Sequence, residues 1–237
     1  MAFDISTVSA VMDQKIIQLD NVTNNIANAQ TSGFKAQHLH LLKSIDEGNR
    51  LNASDAVTSN TFVDFSQGIL QKTDNPLDLS LQDDGFFVVQ TKEGMAFTRR
   101  GDLAVNKLNQ LVTQAGEPVL GESGPITLKS GKIQISPDGA VFVDESQMGK
   151  LKIVDFSNRQ ALTHTQDGYY RDPGTAGMKI IGKPQLISGS IELSNVNVIR
   201  EMAEMIDVNR SFETYQKIIQ TLSEQDKLAI GRVGRIA

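Results

Sequence analysis

From Ile5 to Ala29 the apolar positions Ile5, Val8, Met12, Ile16, Leu19, Val22 and Ile26 follow one another at steps of three and four residues. That spacing predicts an amphipathic helix. Asp4 suits its N-cap, and Gly33 suits a left-handed residue that ends it, with Phe34 packing back on the last turn. The far end of the chain repeats the design. Ile199, Met202, Ile206, Phe212, Ile219 and Leu222 share one helical face between Val198 and Ala229, and no Pro or Gly intervenes before Gly231. Asn209 and Gln216 sit in the same stripe, and Glu213 precedes Lys217 in the favourable i,i+4 order.

Between the two stripes the period falls to two. Phe86-Phe87-Val88-Val89 follows Asp83-Asp84-Gly85. Ile133 and Ile135 alternate, Ser136-Pro137-Asp138-Gly139 turns the chain, and Val141 and Val143 alternate in return, which is a hairpin signature. Leu151 to Phe156 reads as a further strand. The expected fold class is α+β, with long terminal helices around a central antiparallel β domain. The expected boundaries are 1–33 for the first helix, 34–80 for an extended connector without a clean period, 81–190 for the β domain and 191–237 for the last helix. One small β domain cannot cover two stripes of this length.

Composition narrows the functions available. Charged residues are 22% and hydrophobic residues 39% of the chain, enough for packed domains and against wholesale disorder. The net charge of −5, with no basic patch, argues against nucleic acid as a partner. Without Cys there is no thiol chemistry and no cysteine-held zinc. Aromatic residues are 5% with no Trp, so aliphatic side chains are expected to build the cores. No apolar run reaches about 18 residues, so no membrane insertion is expected. Met1-Ala2-Phe3-Asp4-Ile5 lacks the basic and apolar regions of a cleaved signal peptide.

Candidate chemistry is sparse. His38 and His40 form an H-x-H pair without an evident third ligand and read as solvated connector residues. Asp83-Asp84-Gly85 lacks the ligand spacing of a calcium loop and reads as an ordinary turn. No phosphate-binding glycine loop or nucleophile elbow occurs. No catalytic, cofactor-binding or metal-binding residue is expected. The unusual residue is Asn: Asn21, Asn24, Asn25 and Asn28 fall on one face of the first helix beside Leu19, Val22, Ile26 and Ala29. Asn is a poor helix former, by about 0.5 kcal/mol relative to Ala. Its amide can hydrogen-bond across a helix–helix contact and fix register.

The run Asn24-Asn25-Ile26-Ala27-Asn28-Ala29-Gln30-Thr31-Ser32-Gly33-Phe34-Lys35 resembles the N-terminal signature of the bacterial flagellar rod and hook family. Ser194-Asn195-Val196-Asn197, then Glu201-Met202, Met205-Ile206, Asn209-Arg210-Ser211-Phe212-Glu213 and Lys217, are similar to its C-terminal motif. Leu77-Asp78-Leu79, Asp84-Gly85-Phe86-Phe87 and Phe97-Thr98-Arg99 resemble its β domain. Val63-Asp64-Phe65-Ser66 and Val119-Leu120-Gly121 resemble one rod member in particular. The resemblance implies terminal helices that pair in a coiled-coil-like unit and pack with neighbouring subunits into an inner tube. It implies copies of the same chain, other rod proteins and the flagellar type III export apparatus as partners, a place in the periplasmic rod of the basal body, and no cofactor. The interfacial residues it implies are Asn21, Asn24, Asn25, Ile26, Asn28, Thr31, Gly33 and Phe34 at one end. At the other they are Met202, Met205, Ile206, Asn209, Arg210, Phe212 and Glu213. Arg210 and Glu213, three apart, can pair locally or reach a neighbour.

Overall fold

The computed structural model describes residues 5–43, 57–165 and 167–233, so the Asp4 cap and most of the polar stretch that begins at Ser44 lie outside the described residues. The chain divides into two compact units. The first comprises Met1–Ala27, Gln37–Phe62 and Asn197–Ala237, and the second Asn28–Ala36 and Val63–Val196.

The first unit holds both long helices, α1 (Ile5–Ala27) and α2 (Val198–Val233). No Pro or Gly interrupts α1. Asn197 caps α2: its Oδ1 accepts the Arg200 N–H at 3.2 Å, and its carbonyl accepts the Glu201 N–H at 3.0 Å. The helices touch through side chains, with Gln18 Nε2 donating to Glu204 Oε1 at 2.8 Å, and Val8, Val22 and Val208 are buried. Strands Gln37–Lys43 and Val57–Val63 form a two-stranded sheet.

The second unit is antiparallel β structure. Its largest sheet has six strands in the order Thr163–His164, Tyr170–Arg171, Gly94–Thr98, Phe86–Thr91, Ile153–Phe156 and Met178–Ile180. The hairpin read at Ser136–Gly139 forms: the Gly139 N–H donates to the Ser136 carbonyl at 2.9 Å, with Gly139 at φ 87°. It joins Ile133–Ile135 to Ala140–Val143, and Ser146–Lys150 completes a three-stranded sheet.

The strand Phe86–Thr91 separates two cores. Phe87 and Val89 face a mainly aliphatic cluster with Leu79, Leu111, Val141 and Ile153, whereas Phe86 and Val88 face a second cluster. Side chains alternate across a strand, so a run of four apolar residues is what burial on both faces requires. The second cluster corrects the expectation of aliphatic cores. Phe86 lies 5.6–5.7 Å from the rings of Phe65, Phe156 and Tyr170, and Phe97 lies 4.8 Å from Phe156. Aromatic residues are few but concentrated, and these spacings fall in the favourable range for edge contacts.

The segment expected to be an extended connector carries strands. Leu70–Lys72 pairs with Ser190–Glu192, and Leu79–Leu81, fully buried, pairs with Leu186–Ser188. Strands this short, with partners more than a hundred residues away, leave no local period to read.

Candidate assembly interface

The Asn face of α1 does not act as one surface. Asn25 is completely buried within the helical unit. Its Nδ2 donates to the Gln37 carbonyl at 2.8 Å and to Glu201 Oε2 at 3.0 Å, while its Oδ1 accepts the Gln37 N–H at 2.9 Å. One amide therefore ties α1 to a strand and to α2, and supplies a partner for the buried Glu201 carboxylate. Asn21 and Ile26 are half-buried, and Asn24 is exposed. Asn28, half-buried, opens the turn that follows α1. It accepts Thr31 Oγ1 at 3.2 Å on Oδ1 and the Thr31 N–H at 3.0 Å on its carbonyl.

Gly33 and Phe34 have different reasons from those expected. The helix ends at Ala27, well before Gly33. Gly33 does lie at φ 65°, but a Cβ there would come within 2.4 Å of the Arg99 carbonyl carbon, so close approach as well as handedness demands glycine. Phe34 is buried in the β unit, edge-on to His164 at 6.3 Å, rather than against the last turn of α1.

On α2 the stripe divides. Val208 and Glu201 are buried, and Met205, Phe212 and Ile219 are half-buried. Ile199 is 83% exposed, Met202 51% and Ile206 53%, a row of apolar side chains on one face that no other described residue covers. Asn209, Arg210 and Glu213 are also exposed, and among the described residues no ion pair joins Arg210 to Glu213.

A buried charge cluster in the β unit went unread in the sequence. Lys35 Nζ meets Glu192 Oε1 at 2.5 Å, with both side chains fully buried. The same ammonium donates to the Ser66 carbonyl at 2.6 Å, and Glu192 Oε1 also accepts the Gly68 N–H at 2.9 Å. Arg99 stands 3.6 Å from Glu192 Oε2 and 3.6 Å from Asp84. Arg159 pairs with Asp84 at 2.9 Å and with Asp155 at 2.8 Å. Asp84 is thus an ion-pair partner as well as a turn residue. Burial pulls the Lys35 ammonium below its ordinary pKa against the pull of Glu192, and lowers Arg99 likewise. Beside the cluster, Asn195 Oδ1 accepts the Ala36 N–H at 2.7 Å, and its Nδ2 donates to the Asp64 and Ser66 carbonyls at 2.8 and 3.1 Å. The only local hint was a charge set among apolar neighbours, in Phe34-Lys35-Ala36 and Ile191-Glu192-Leu193.

His38 is half-buried, and among the described residues no three His, Asp or Glu side chains are grouped to hold a metal ion. His164 is packed 5.3 Å from Tyr170, and burial lowers its pKa.

Residues 187–231 match the model of the flagellar basal body rod FlgEFG protein C-terminal region, and residues 80–143 that of the flagellar hook protein FlgE/F/G D1 domain. The flagellar basal-body rod protein FlgF of Escherichia coli K12 is 34% identical, over 93% of this chain and 94% of its own length. FlgF of Caulobacter vibrioides is 31% identical over 92% and 93%. The flagellar basal-body rod protein FlgG of Buchnera aphidicola from Acyrthosiphon pisum is 30% identical over 89% and 92%. One matched model falls in the β unit, the other runs from its last strands along α2, and the relatives align over about nine-tenths of the chain: the chain belongs to the flagellar basal-body rod proteins, structural parts of the bacterial flagellum.

Proposed function

We propose that this chain is an axial subunit of the flagellar rod, the proximal rod protein, which assembles helically with its own copies and with other rod proteins into the drive shaft and export channel. The exposed row Ile199, Met202 and Ile206 on α2 carries this reading, because it gives a neighbouring helix a face to cover. Exposed Ile16 and Ile17 on α1 add to it. In this reading α1 and α2 act as a coiled-coil-like unit, and it is these helices, within the expected segments 1–33 and 191–237, that form the inner tube. Asn24, Asn209, Arg210 and Glu213, all exposed, then meet neighbours, while Asn25 holds the helices within one subunit. Helical operators make such contacts heterologous and open-ended. The assignment to the proximal position rests on Val63-Asp64-Phe65-Ser66 and Val119-Leu120-Gly121 and on the FlgF relatives at 31–34% identity. The FlgG relative at 30% identity favours the distal rod protein as the second reading.

Assembly of this kind leaves the outer faces of the paired terminal helices uncovered until docking, and helices draw most of their stability from packing. That suits passage in unfolded form through the type III export apparatus, with the N-terminus as an uncleaved signal, to the periplasmic rod. Hydrogen exchange on the purified chain, read by segment, tests the coupling. Residues 5–27 and 198–233 are expected to exchange faster than 63–196 in the monomer and to become protected in isolated basal bodies. Equal protection of all three segments in the monomer would overturn it and favour a helical adaptor.

A further inference from the structure

The β unit carries a groove of about 1000 Å³ to which the proposed function assigns no role. Pro76 and Leu77 line it, with Ile133, Phe142 and Glu145. Ile133–Ile135 is the outer strand of its three-stranded sheet. The Asp144 N–H bonds the Lys132 carbonyl and the Ser136 N–H the Ala140 carbonyl, so residues 132, 134 and 136 spend their backbone groups on the neighbouring strand. By alternation the N–H and C=O of Ile133 and Ile135 point away from that strand, along the free edge. An apolar groove bordered by backbone groups that pair with no other described residue is suited to receive another chain segment.

The same unit presents a matching projection. Leu108 is 73% exposed at the tip of the turn between strands Leu103–Val105 and Leu111–Thr113. The turn is fixed from within: Asn106 Oδ1 accepts the N–H groups of Leu108 and Gln110, each at 2.9 Å, and Asn109 is left-handed at φ 57°. A leucine held outward on a rigid turn gives up little freedom when it is buried. Charge also matches. Lys107 beside Leu108 and Glu145 on the groove are both exposed, and among the described residues neither is in an ion pair. The groove's lining also carries Lys132, exposed, so Glu145 is its one carboxylate beside one ammonium.

We propose that the groove receives the Lys107-Leu108 turn of a second copy of this chain, with Leu108 between Pro76, Leu77 and Phe142 and Lys107 against Glu145. The inference rests on the rod reading. Projection and receptor are different surfaces, so the contact is heterologous and repeats from copy to copy. It is too small to hold two free chains together, and it acts once other contacts set the copies side by side at high effective concentration.

The chain has no Cys, which makes the test direct. Cells are made to carry two versions, one with Leu108→Cys and one with Gln134→Cys, and isolated basal bodies are oxidised. A disulfide-linked dimer is expected only when both versions are present. Absence of that dimer in basal bodies that contain the chain would overturn the contact while leaving the rod reading intact. Dimers from either version alone, or linkage of Gln134→Cys to a different protein, would overturn it equally. Basal bodies lacking the chain altogether would strike the rod reading, and this contact with it.

Discussion

Replacing Glu192 by Gln removes one charge and almost no volume. The new amide would keep an oxygen for the Gly68 N–H, so the variant isolates the charge from the shape. What remains is two buried cations. Lys35 loses the carboxylate that sits 2.5 Å from its ammonium. Arg99 loses one of its two carboxylates at 3.6 Å and keeps only Asp84, whose side chain is 61% exposed and screened by water. Breaking a buried pair on one side costs about 3–5 kcal/mol, because the surviving charge is stranded. For a chain of this size each kcal/mol moves Tm by roughly 2–4 °C, so the expected fall is about 6–20 °C. Lys35→Met breaks the same pair but leaves Glu192 facing Arg99, and its fall should be smaller. The double variant Lys35→Met, Glu192→Leu should regain part of the loss, since apolar replacement of both partners spares their desolvation. The chain lacks Trp, so thermal melts are best followed by circular dichroism. A Tm within about 2 °C of the parent for Glu192→Gln would refute the reasoning, as would a double variant whose loss strictly equals the sum of the Lys35→Met and Glu192→Leu single losses.

Asn25→Leu should destabilise the chain by about 1–3 kcal/mol in chemical denaturation, because the Glu201 carboxylate and both backbone groups of Gln37 lose their partner; an unchanged midpoint would contradict this. Burial lowers the pKa of His164, so the unfolded chain binds a proton near pH 6.5 that the folded chain resists. The His164 contribution is complete above about pH 6.5 and is lost as pH falls toward the lowered folded value. His164→Phe should therefore lose less Tm than the parent as pH falls below about 6.5, and equal losses would refute it. Met202→Glu, on an exposed position, should change stability by less than about 0.5 kcal/mol yet abolish swimming in a motility assay; normal swimming would count against the α2 row as an interface.

Local signals were legible wherever the physics is local. Helical steps gave both helices and Ser136–Gly139 gave its hairpin, because each depends on residues within one or two turns, whereas the Asn197 cap of α2 was not read. Glu192 was not legible: its partners Lys35 and Gly68 lie 157 and 124 residues away, and nothing near it marks the pairing. Gly33 was noticed for its conformation, but the backbone of Arg99 pressed against it belongs to a distant strand end. Asn25 stood out for its type and place, yet whether its amide faced inward or toward a neighbour depended on Gln37 and Glu201.

The strand that separates the two cores carries a further consequence. Its sequence, Phe86-Phe87-Val88-Val89, presents one Phe and one Val to each side. A slip of one residue along the sheet would still offer each side one Phe and one Val, so hydrophobicity alone does not say where the strand belongs. The information lies in the tight turn at Lys92-Glu93, which locks Thr91 opposite Gly94 and, through that pairing, Phe87 opposite Thr98. The length of an exposed two-residue turn, rather than the composition of the interior, keeps each ring in its own core. Insertions there should be tolerated far less than the polarity of Lys92 and Glu93 suggests.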